Sequence, residues 1–570
     1  MPEELFVEKG AISGSPDQKS PAPSANRQTQ FWIIIASLSL LAFVSALDAM
    51  IITTALPTIT VDIGGSSQYV WIANSFVIAS TVLQPLIGQL ADIFGRKFPV
   101  IVSVALFVIG SGIAGGAYNV GMFIAGRSIQ GIGAGGMYVL IDIICCDLVP
   151  LRDRGKYLGI VNSSAAVAAA IGPVLGGALA RANWRWIFWL NIPICGVPFF
   201  TLLLFMKMKS GGTQSQGWGR LLRVDYIGNV VFIPSLIAVM FGLVTGGIEF
   251  PWSSWRIILP IVLGVLGWIA FHVWEYFTVY PSVPSRLFSN RTSATAYVLT
   301  FFASVLATAL GYFLPIYFQA VLRATVFYSG VYYLPLAIGT LVSAVIGGVL
   351  LSAFDAYRPL HAGAFAFGIV GFGLLTVLRG DSHAVAWVFF QLIVSVGVGV
   401  PVSTCLPAIM AALPESDVAS ATAAFSFIKT FGYIWGVTIP SILFNAIINN
   451  NLSLISSPSL REQLRNGGAY SFASQANTLA GSVDGAVWNE VEQVYVRSLN
   501  AIWWFGLGIS AVSFLAVGFE RGLELSTELN TEFGLNGDQL EASTTGAKEE
   551  EKGTQVQSGI ERSSQEAVLP

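Results

Sequence analysis

The sequence predicts an all-α polytopic membrane protein, and three observations carry that prediction. Hydrophobic residues make up 54% of the chain and charged residues 11%, less than half the charged share of an average soluble protein. The charges crowd at the ends, with 7 in residues 1–30 and 14 in residues 521–570. Between them the chain divides into apolar stretches of about 20 residues, the length that crosses a hydrocarbon core. The mean hydropathy of +0.69 agrees.

Fourteen spans can be drawn, at 31–55, 69–90, 98–118, 121–147, 157–180, 186–206, 224–246, 256–277, 293–319, 328–351, 359–378, 385–411, 418–447 and 498–519. An even number places both termini on one side, and basic loop residues tell which side. Loops on the N-terminal side hold Arg96, Lys97, Arg152, Arg154, Lys156, Lys207, Lys209, Arg220, Arg223, Arg286, Arg291 and Arg358. The short loops opposite hold Arg181, Arg185, Arg256, Arg323 and Arg379. Both termini are therefore expected in the cytosol. The stretch 448–497 then faces out and carries the sequon Asn451-Leu452-Ser453, a candidate glycosylation site. The tails, 1–30 and 526–570, are polar and without periodicity, and disorder is expected there.

The composition excludes a secreted enzyme, a DNA-binding factor or a structural coiled coil. A net charge of −3 offers no basic surface to nucleic acid. Cys145, Cys146, Cys195 and Cys405 all fall in apolar segments, so no extracellular disulfide framework is implied. The polar start of the chain lacks a cleavable signal peptide, and the run from Phe31 should act as a signal anchor. No G-x-x-x-x-G-K-[ST] phosphate loop is present. His272, His361 and His383 are scattered, without metal-ligand spacing. No enzyme activity, catalytic residue, cofactor or metal is expected. A secondary transporter, a channel or a receptor-like protein remains.

Between the second and third spans stands Gly88-Gln89-Leu90-Ala91-Asp92-Ile93-Phe94-Gly95-Arg96-Lys97. Its glycines allow a tight turn, and an acid with two bases at a membrane boundary can form ion pairs that open and close as bundles rock. The fourth span holds Arg127-Ser128-Ile129-Gln130-Gly131-Ile132-Gly133-Ala134-Gly135-Gly136, and the fifth holds Gly159 and Gly172-Pro173-Val174-Leu175-Gly176-Gly177. These segments, in this order, resemble the signature loop, the second motif and the antiporter motif of the major facilitator superfamily. Ala168 stands where that pattern expects glycine. Leu47-Asp48 with Ala55-Leu56-Pro57, the run Trp184 to Pro193, and Leu314-Pro315-Ile316-Tyr317-Phe318-Gln319 narrow the resemblance to the 14-span drug:proton antiporter branch, particularly its fungal toxin and multidrug efflux members.

The resemblance implies two six-helix bundles, 31–206 and 293–525, joined by a linker, 207–292, with two extra spans. It implies alternating access and proton-coupled export of amphipathic small organic molecules. An internal echo agrees: Gly131-Ile132-Gly133 matches Gly397-Val398-Gly399, which sets Ile393 opposite Arg127, and Asp355-Ala356-Tyr357-Arg358 is a degraded counterpart of the basic turn. A monomer in the plasma membrane is expected, with the vacuolar membrane as the alternative. The rival functions are uptake or vacuolar storage of siderophores or basic amino acids, and a transporter-like receptor.

Ionisable residues within a span by default face a cavity or a partner. Asp48, Arg127, Asp142 and Lys429 are the candidates for proton coupling, with Asp48 the first choice for the exchanged proton and Arg127 its partner. The alternative for Asp142 and Lys429 is pairing that serves packing alone. Tyr138, Tyr312, Tyr317, Gln319, Phe425 and Trp435 are candidates for the substrate path, because aromatic walls tolerate varied apolar ligands. At the cytosolic gate, Gly88 and Gly95 shape the turn and Arg96 is expected to pair with Asp147. Asp92 is expected to cap the helix that begins near Asp417 through backbone N–H groups, since Asp417 itself would repel it.

Overall fold

The computed structural model describes residues 25–526 apart from 64–68, 208–218, 220–221, 248–249 and 482. Residues 1–24 and 527–570, most of the two polar tails, lie outside the described residues. Among the described residues everything regular is helical, with one isolated bridge between Gly246 and Phe250. The first group of helices is α1 (Ala25–Asp62), α2 (Tyr69–Val82), α3 (Gln84–Phe94), α4 (Lys97–Gly115), α5 (Val120–Leu148), α6 (Leu151–Asn183), α7 (Trp186–Trp189) and α8 (Asn191–Phe205). A pair follows, α9 (Tyr226–Thr245) and α10 (Trp255–Phe277). The second group is α11 (Arg291–Ile316), α12 (Val326–Phe354), α13 (Tyr357–Leu375), α14 (Ala384–Met410), α15 (Val418–Asn451), α16 (Pro458–Leu464), α17 (Gly468–Leu479) and α18 (Gly485–Ala516).

Local chemistry sets several ends. Asn119 accepts a hydrogen bond from Met122 N to cap α5, and Asp225 accepts one from Gly228 N to cap α9. Pro85, in the first turn of α3, stops the second span from running straight, and α2 and α3 meet at 42°. Twelve helices are long and apolar enough to cross a membrane, and the bent pair makes a thirteenth, against fourteen stretches drawn from the sequence. The difference is α6, a 33-residue helix rich in Gly, Ala and Ser. It packs against α1 on one side and α12 on the other.

Two boundaries move. The first helix begins at Ala25, inside the expected tail, and the last begins at Gly485 rather than near 498. The stretch 448–497 is therefore largely helical. The end of α15, α16, α17 and the first turns of α18 enclose a small core of Leu452, Ile455, Leu460, Leu464, Phe472 and Trp488.

The same helix pairings occur twice. In the first group α1 lies along α6, and α2 and α4 lie along α5; in the second α11 lies along α15, and α12 and α13 lie along α14. Small residues permit these approaches, since lipid tails give no hydrophobic drive between helices and backbone contact must supply it. A Cβ on Gly110 would enter the backbone of Gln130, and one on Gly371 would stand 2.6 Å from Val394 Cα. A Cβ on Gly133 would enter the backbone of Phe107, and one on Gly397 would stand 2.8 Å from Gly368 Cα. These contacts align Gly133 with Gly397, two residues away from the register read in sequence. The residue opposite Arg127 is therefore Gln391, not Ile393. Gln391 is fully buried and donates to Tyr332 O and Trp387 O, so the second group also carries a polar side chain at this level.

The α9–α10 pair docks on both groups by different means. Gln89 of α3 donates to Tyr280 O and Arg223 O and accepts from Asp225 N and Ser282 Oγ. Against α15 the contact is ring on ring, with Trp268 over Phe431 at 5.3 Å and Phe232 against Phe427 at 5.6 Å. The outward face of α10, including Leu259, Val262, Leu266 and Val273, is exposed, as suits a lipid face.

Leu at Gly133 or at Gly397 should overpack its helix crossing and cost about 1–3 kcal/mol. Leu at Gly112, where nothing lies within 4 Å, should be close to neutral. Thermal unfolding in detergent measures this, and equal tolerance at all three positions would contradict the packing described.

Candidate functional site

Within the first group, Asp48 on α1 meets Arg127 on α5. Arg127 Nη1 donates to Asp48 Oδ2 at 2.5 Å and to Gln130 Oε1 at 2.7 Å. Gln130 Nε2 donates to Asp48 Oδ1 at 2.8 Å and to Ser111 Oγ at 2.8 Å, and Asn191 Nδ2 donates to Asp48 Oδ1 at 2.8 Å. The guanidinium lies over the Phe76 ring at 4.3 Å and the Phe188 ring at 5.6 Å. Both charges are buried, at 1% exposure each. Taking such a pair out of solvent costs several kcal/mol per ion, which only good geometry and further hydrogen bonds offset. Here three donors converge on one carboxylate, while the buried Arg127 Nε finds no acceptor among the described residues.

A second pair joins the two groups. Asp142, on α5, lies 3.8 Å from Lys429 Nζ on α15, and that ammonium sits 5.2 Å from the Phe425 ring centre. Asp142 is buried while Lys429 retains 18% exposure. Phe425, Lys429 and Tyr433 follow at four-residue spacing and share one stripe of α15. Tyr433 is 40% exposed. Tyr138, one turn before Asp142, is half-buried and donates to Ser45 O at 3.4 Å.

Other candidates for the substrate path lie elsewhere. Tyr317 is buried in a π-helical turn and donates to Arg379 O, a bond that closes the end of α11. Gln319, in the same turn, donates to Ser329 Oγ. Trp435 packs on Phe431, on the side of α15 that meets the α9–α10 pair. Tyr312 is half-exposed. These residues, chosen as an aromatic wall, thus do not share one site: Tyr317 and Gln319 stand together in the π turn, and Trp435 on the side of α15 that meets the α9–α10 pair.

At one end of the bundle the loops before α4, α6, α9, α11, α13 and α15 gather; we term it the basic end. Gly95 turns there with φ +82°, the left-handed region that favours glycine. Arg96 Nε donates to Asp147 Oδ2 at 2.7 Å and Nη1 to Asp92 Oδ1 at 3.0 Å. Asp92 accepts from Ser420 Oγ at 3.2 Å, a hydroxyl in place of the expected backbone N–H groups. The repulsion expected from Asp417 is absorbed by Arg286, which binds both its oxygens at 2.8 Å. That carboxylate also raises the Arg286 basicity, through the hydrogen bonds first.

Further contacts cross between the groups here. Arg154 Nη2 donates to Glu415 at 2.9 Å, and Arg152 Nε to Ser352 O at 2.7 Å. A Cβ on Gly348 would enter the Gly155 carbonyl, and one on Gly88 would overlap the Ala423 methyl. Gly159 approaches Ala344 O, and Gly172 approaches Met50 within its own group. Gly176 is buried, while the surroundings of Pro173 and Gly177 lie outside what the structure describes.

Asn451 closes α15, where its Nδ2 donates to Ile447 O at 2.8 Å and its Oδ1 accepts from Arg497 at 3.2 Å. The sequon amide is thus bonded to the protein.

Sequence reasoning missed Gln130, Asn191 and Ser111 around Asp48, although the first two stand inside quoted motifs. Arg154–Glu415 had no local signal, because its partners are 261 residues apart.

Comparison with known proteins gives three findings. The description of the Major Facilitator Superfamily matches residues 38–437. The chain is 42% identical over 545 residues to the MFS efflux transporter aclA of Aspergillus oryzae, covering 95% of this chain and 98% of that protein. It is 43% identical to the MFS-type transporter gkaD of Penicillium citrinum, covering 94% and 91%, and 42% identical to the efflux pump FUS6 of Gibberella fujikuroi, covering 90% and 93%. Among solved structures it resembles the human organic anion transporter MFSD10, with a TM-score of 0.55 at 13% identity, covering 87% of this chain and all of that one.

Removing one partner of a buried ion pair strands the other charge, at about 3–5 kcal/mol, whereas one hydrogen bond contributes about 1 kcal/mol. Asp48→Ala should therefore lower the unfolding temperature clearly more than Asn191→Ala. Equal losses in a detergent thermal-shift assay would mean that the pair is not the organising contact of this site.

Proposed function

The chain belongs to the Major Facilitator Superfamily, and on that premise we propose that it is a proton-coupled exporter of amphipathic small organic molecules, such as fungal secondary metabolites. It works as a monomer in the plasma membrane, by alternating access of residues 31–206 against 293–525 about the linker 207–292. The basic end is the cytosolic end, in keeping with the loop charges.

The observation that carries coupling is the pair of buried carboxylates, each with one cation and each in a different mechanical place. Asp48 and Arg127 belong to one bundle. Asp142 and Lys429 join the two. The direction and the substrate class rest on the relatives, two of which are named efflux proteins.

The hydrogen bonds divide the labour between the acids. Asp48 accepts from three N–H donors, so an arriving proton must first displace Arg127 or an amide. Asp142 has the single ammonium at 3.8 Å and can take a proton without rearranging its neighbours. With the basic end closed, a proton entering from the opposite side neutralises Asp142. Lys429 then loses its partner, one tie between the bundles is gone, and the gate formed by Arg96, Asp147, Asp92, Arg154 and Glu415 can open. Release of that proton to the cytosol and loading of substrate restore the cycle. Tyr138, Phe425 and Tyr433 give the carried molecule an aromatic wall near Lys429.

Efflux of fluorescent amphipathic dyes from vesicles with an imposed pH gradient tests this. Efflux should collapse with a protonophore. Asp142→Asn should keep dye exchange but lose gradient-driven efflux, and Lys429→Ala should lose part of its pH dependence. Efflux indifferent to the protonophore would overturn coupling, and binding without movement would favour a receptor.

A further inference from the structure

After α18 the chain does not leave the protein at once. Residues 520–526 run without regular structure across the basic end, with Glu520 and Leu525 buried and Arg521, Gly522 and Glu524 exposed. Glu520 is anchored beneath this strap. Its oxygens lie 2.9 and 3.0 Å from His361 Nδ1, and His361 Nε2 lies 3.0 Å from Thr404 Oγ1, all at 2% exposure or less. Tyr357 OH donates to Arg521 O and accepts from Leu523 N, while Arg521 N donates to Thr292 Oγ1. Asp355 accepts from Leu525 N at 2.9 Å. Every one of these contacts lies in the second bundle.

The last contact does not. Arg152 N, in the first turn of α6, donates to Ser526 O at 3.1 Å. The first four N–H groups of a helix have no partner within it, and the strap supplies one of them across the interface between the bundles. The guanidinium of the same Arg152 holds Ser352 O and Ala353 O at the end of α12, and Asp153 accepts from Ser352 Oγ. The strap therefore ends on the segment of α6 that must part from α12 when the basic end opens.

We propose that residues 520–526 are a latch on the basic-end gate, with His361 and Glu520 as the positioning residues that hold it against the second bundle so that Ser526 can engage α6. Asp355 and Tyr357, in the degraded counterpart of the first bundle's basic turn, thereby serve the strap where Asp92 and Arg96 serve the gate itself. The inference rests on the alternating-access reading in one respect, that the contact of α6 with α12 is the one that opens.

The test uses the full chain in detergent with Ser403→Cys as reporter. Ser403 is fully buried beside Gly155 of α6, so its labelling by a maleimide reads the opening of this interface, each variant without Ser403→Cys serving as the blank for the four buried native cysteines, of which Cys405 lies 3.9 Å from His361. Proline is tolerated in the first turn of a helix and lacks the N–H, so Arg152→Pro removes the bond to Ser526. Arg152→Ala loses the same guanidinium and keeps that N–H. Labelling in Arg152→Pro should exceed that in Arg152→Ala by roughly two- to tenfold, the range one hydrogen bond spans. Glu520→Gln and Tyr357→Phe, which weaken the strap's anchorage, should each raise labelling above the wild type. The second pair decides the matter if a proline at 152 unfolds the chain. A cysteine at Tyr118, exposed at the opposite end, should label at an unchanged rate in all variants.

Equal labelling of the two Arg152 variants, with Glu520→Gln and Tyr357→Phe at the wild-type rate, overturns the latch. Arg96→Ala separates the two failures. Faster labelling in Arg96→Ala alone leaves the gate reading intact and removes the strap from it; no response in any variant removes both.

Discussion

A charge inside a bilayer has no water to fall back on, and the architecture of this protein follows from how each such charge is answered. Asp48 is answered completely, by one guanidinium and two amides drawn from α5 and α8. That saturation requires α1, α5 and α8 to stand in fixed register around Ser111 of α4, so the pair organises the first bundle as well as serving it. Asp142 is answered incompletely, by an ammonium 3.8 Å away on the other bundle. The contrast separates a group that holds a bundle together from one whose partner belongs to a different moving body.

The second bundle repeats the pairings of the first but not its charges. Its polar residue opposite Arg127 is Gln391, whose amide is spent on two backbone carbonyls of its own bundle. An amide costs far less to bury than a guanidinium and demands no counter-ion. The duplication has kept the glycine contacts that set helix spacing, where any Cβ would collide, and let the electrostatics diverge. The same divergence appears at the basic turns, where Arg96 binds two carboxylates and Asp355 and Tyr357 bind the strap formed by residues 520–526.

The spans and the charged residues were legible in the sequence because they obey one-dimensional rules: run length, the cost of a buried charge, and proline at a bend. Arg96 with Asp147 and Asp48 with Arg127 were legible through motif and helix face together. Faces of aromatic residues were not. Tyr317 and Trp435 stand in largely apolar segments with apolar residues on every side, so periodicity cannot separate a cavity from a neighbouring helix. The register of the internal echo was misread by two residues, since G-x-G spacing matches at several offsets and only the contacts of Gly110 with Gln130 and Gly371 with Val394 distinguish them. Ion pairs such as Arg154 with Glu415 depend on how two bundles meet, which no local pattern encodes.

The unequal docking of α9 and α10 bears on where the molecule pivots. Gln89 ties this hairpin to α3 by directional bonds that tolerate little displacement, whereas Phe232 and Trp268 meet Phe427 and Phe431 of α15 through ring faces and edges. Aromatic contacts are shallow in energy against small lateral shifts, so they act as a bearing and the bonds as a hinge pin. On the alternating-access proposal the hairpin belongs with the first bundle, so that body presents to lipid the exposed apolar face of α10, which the second bundle lacks.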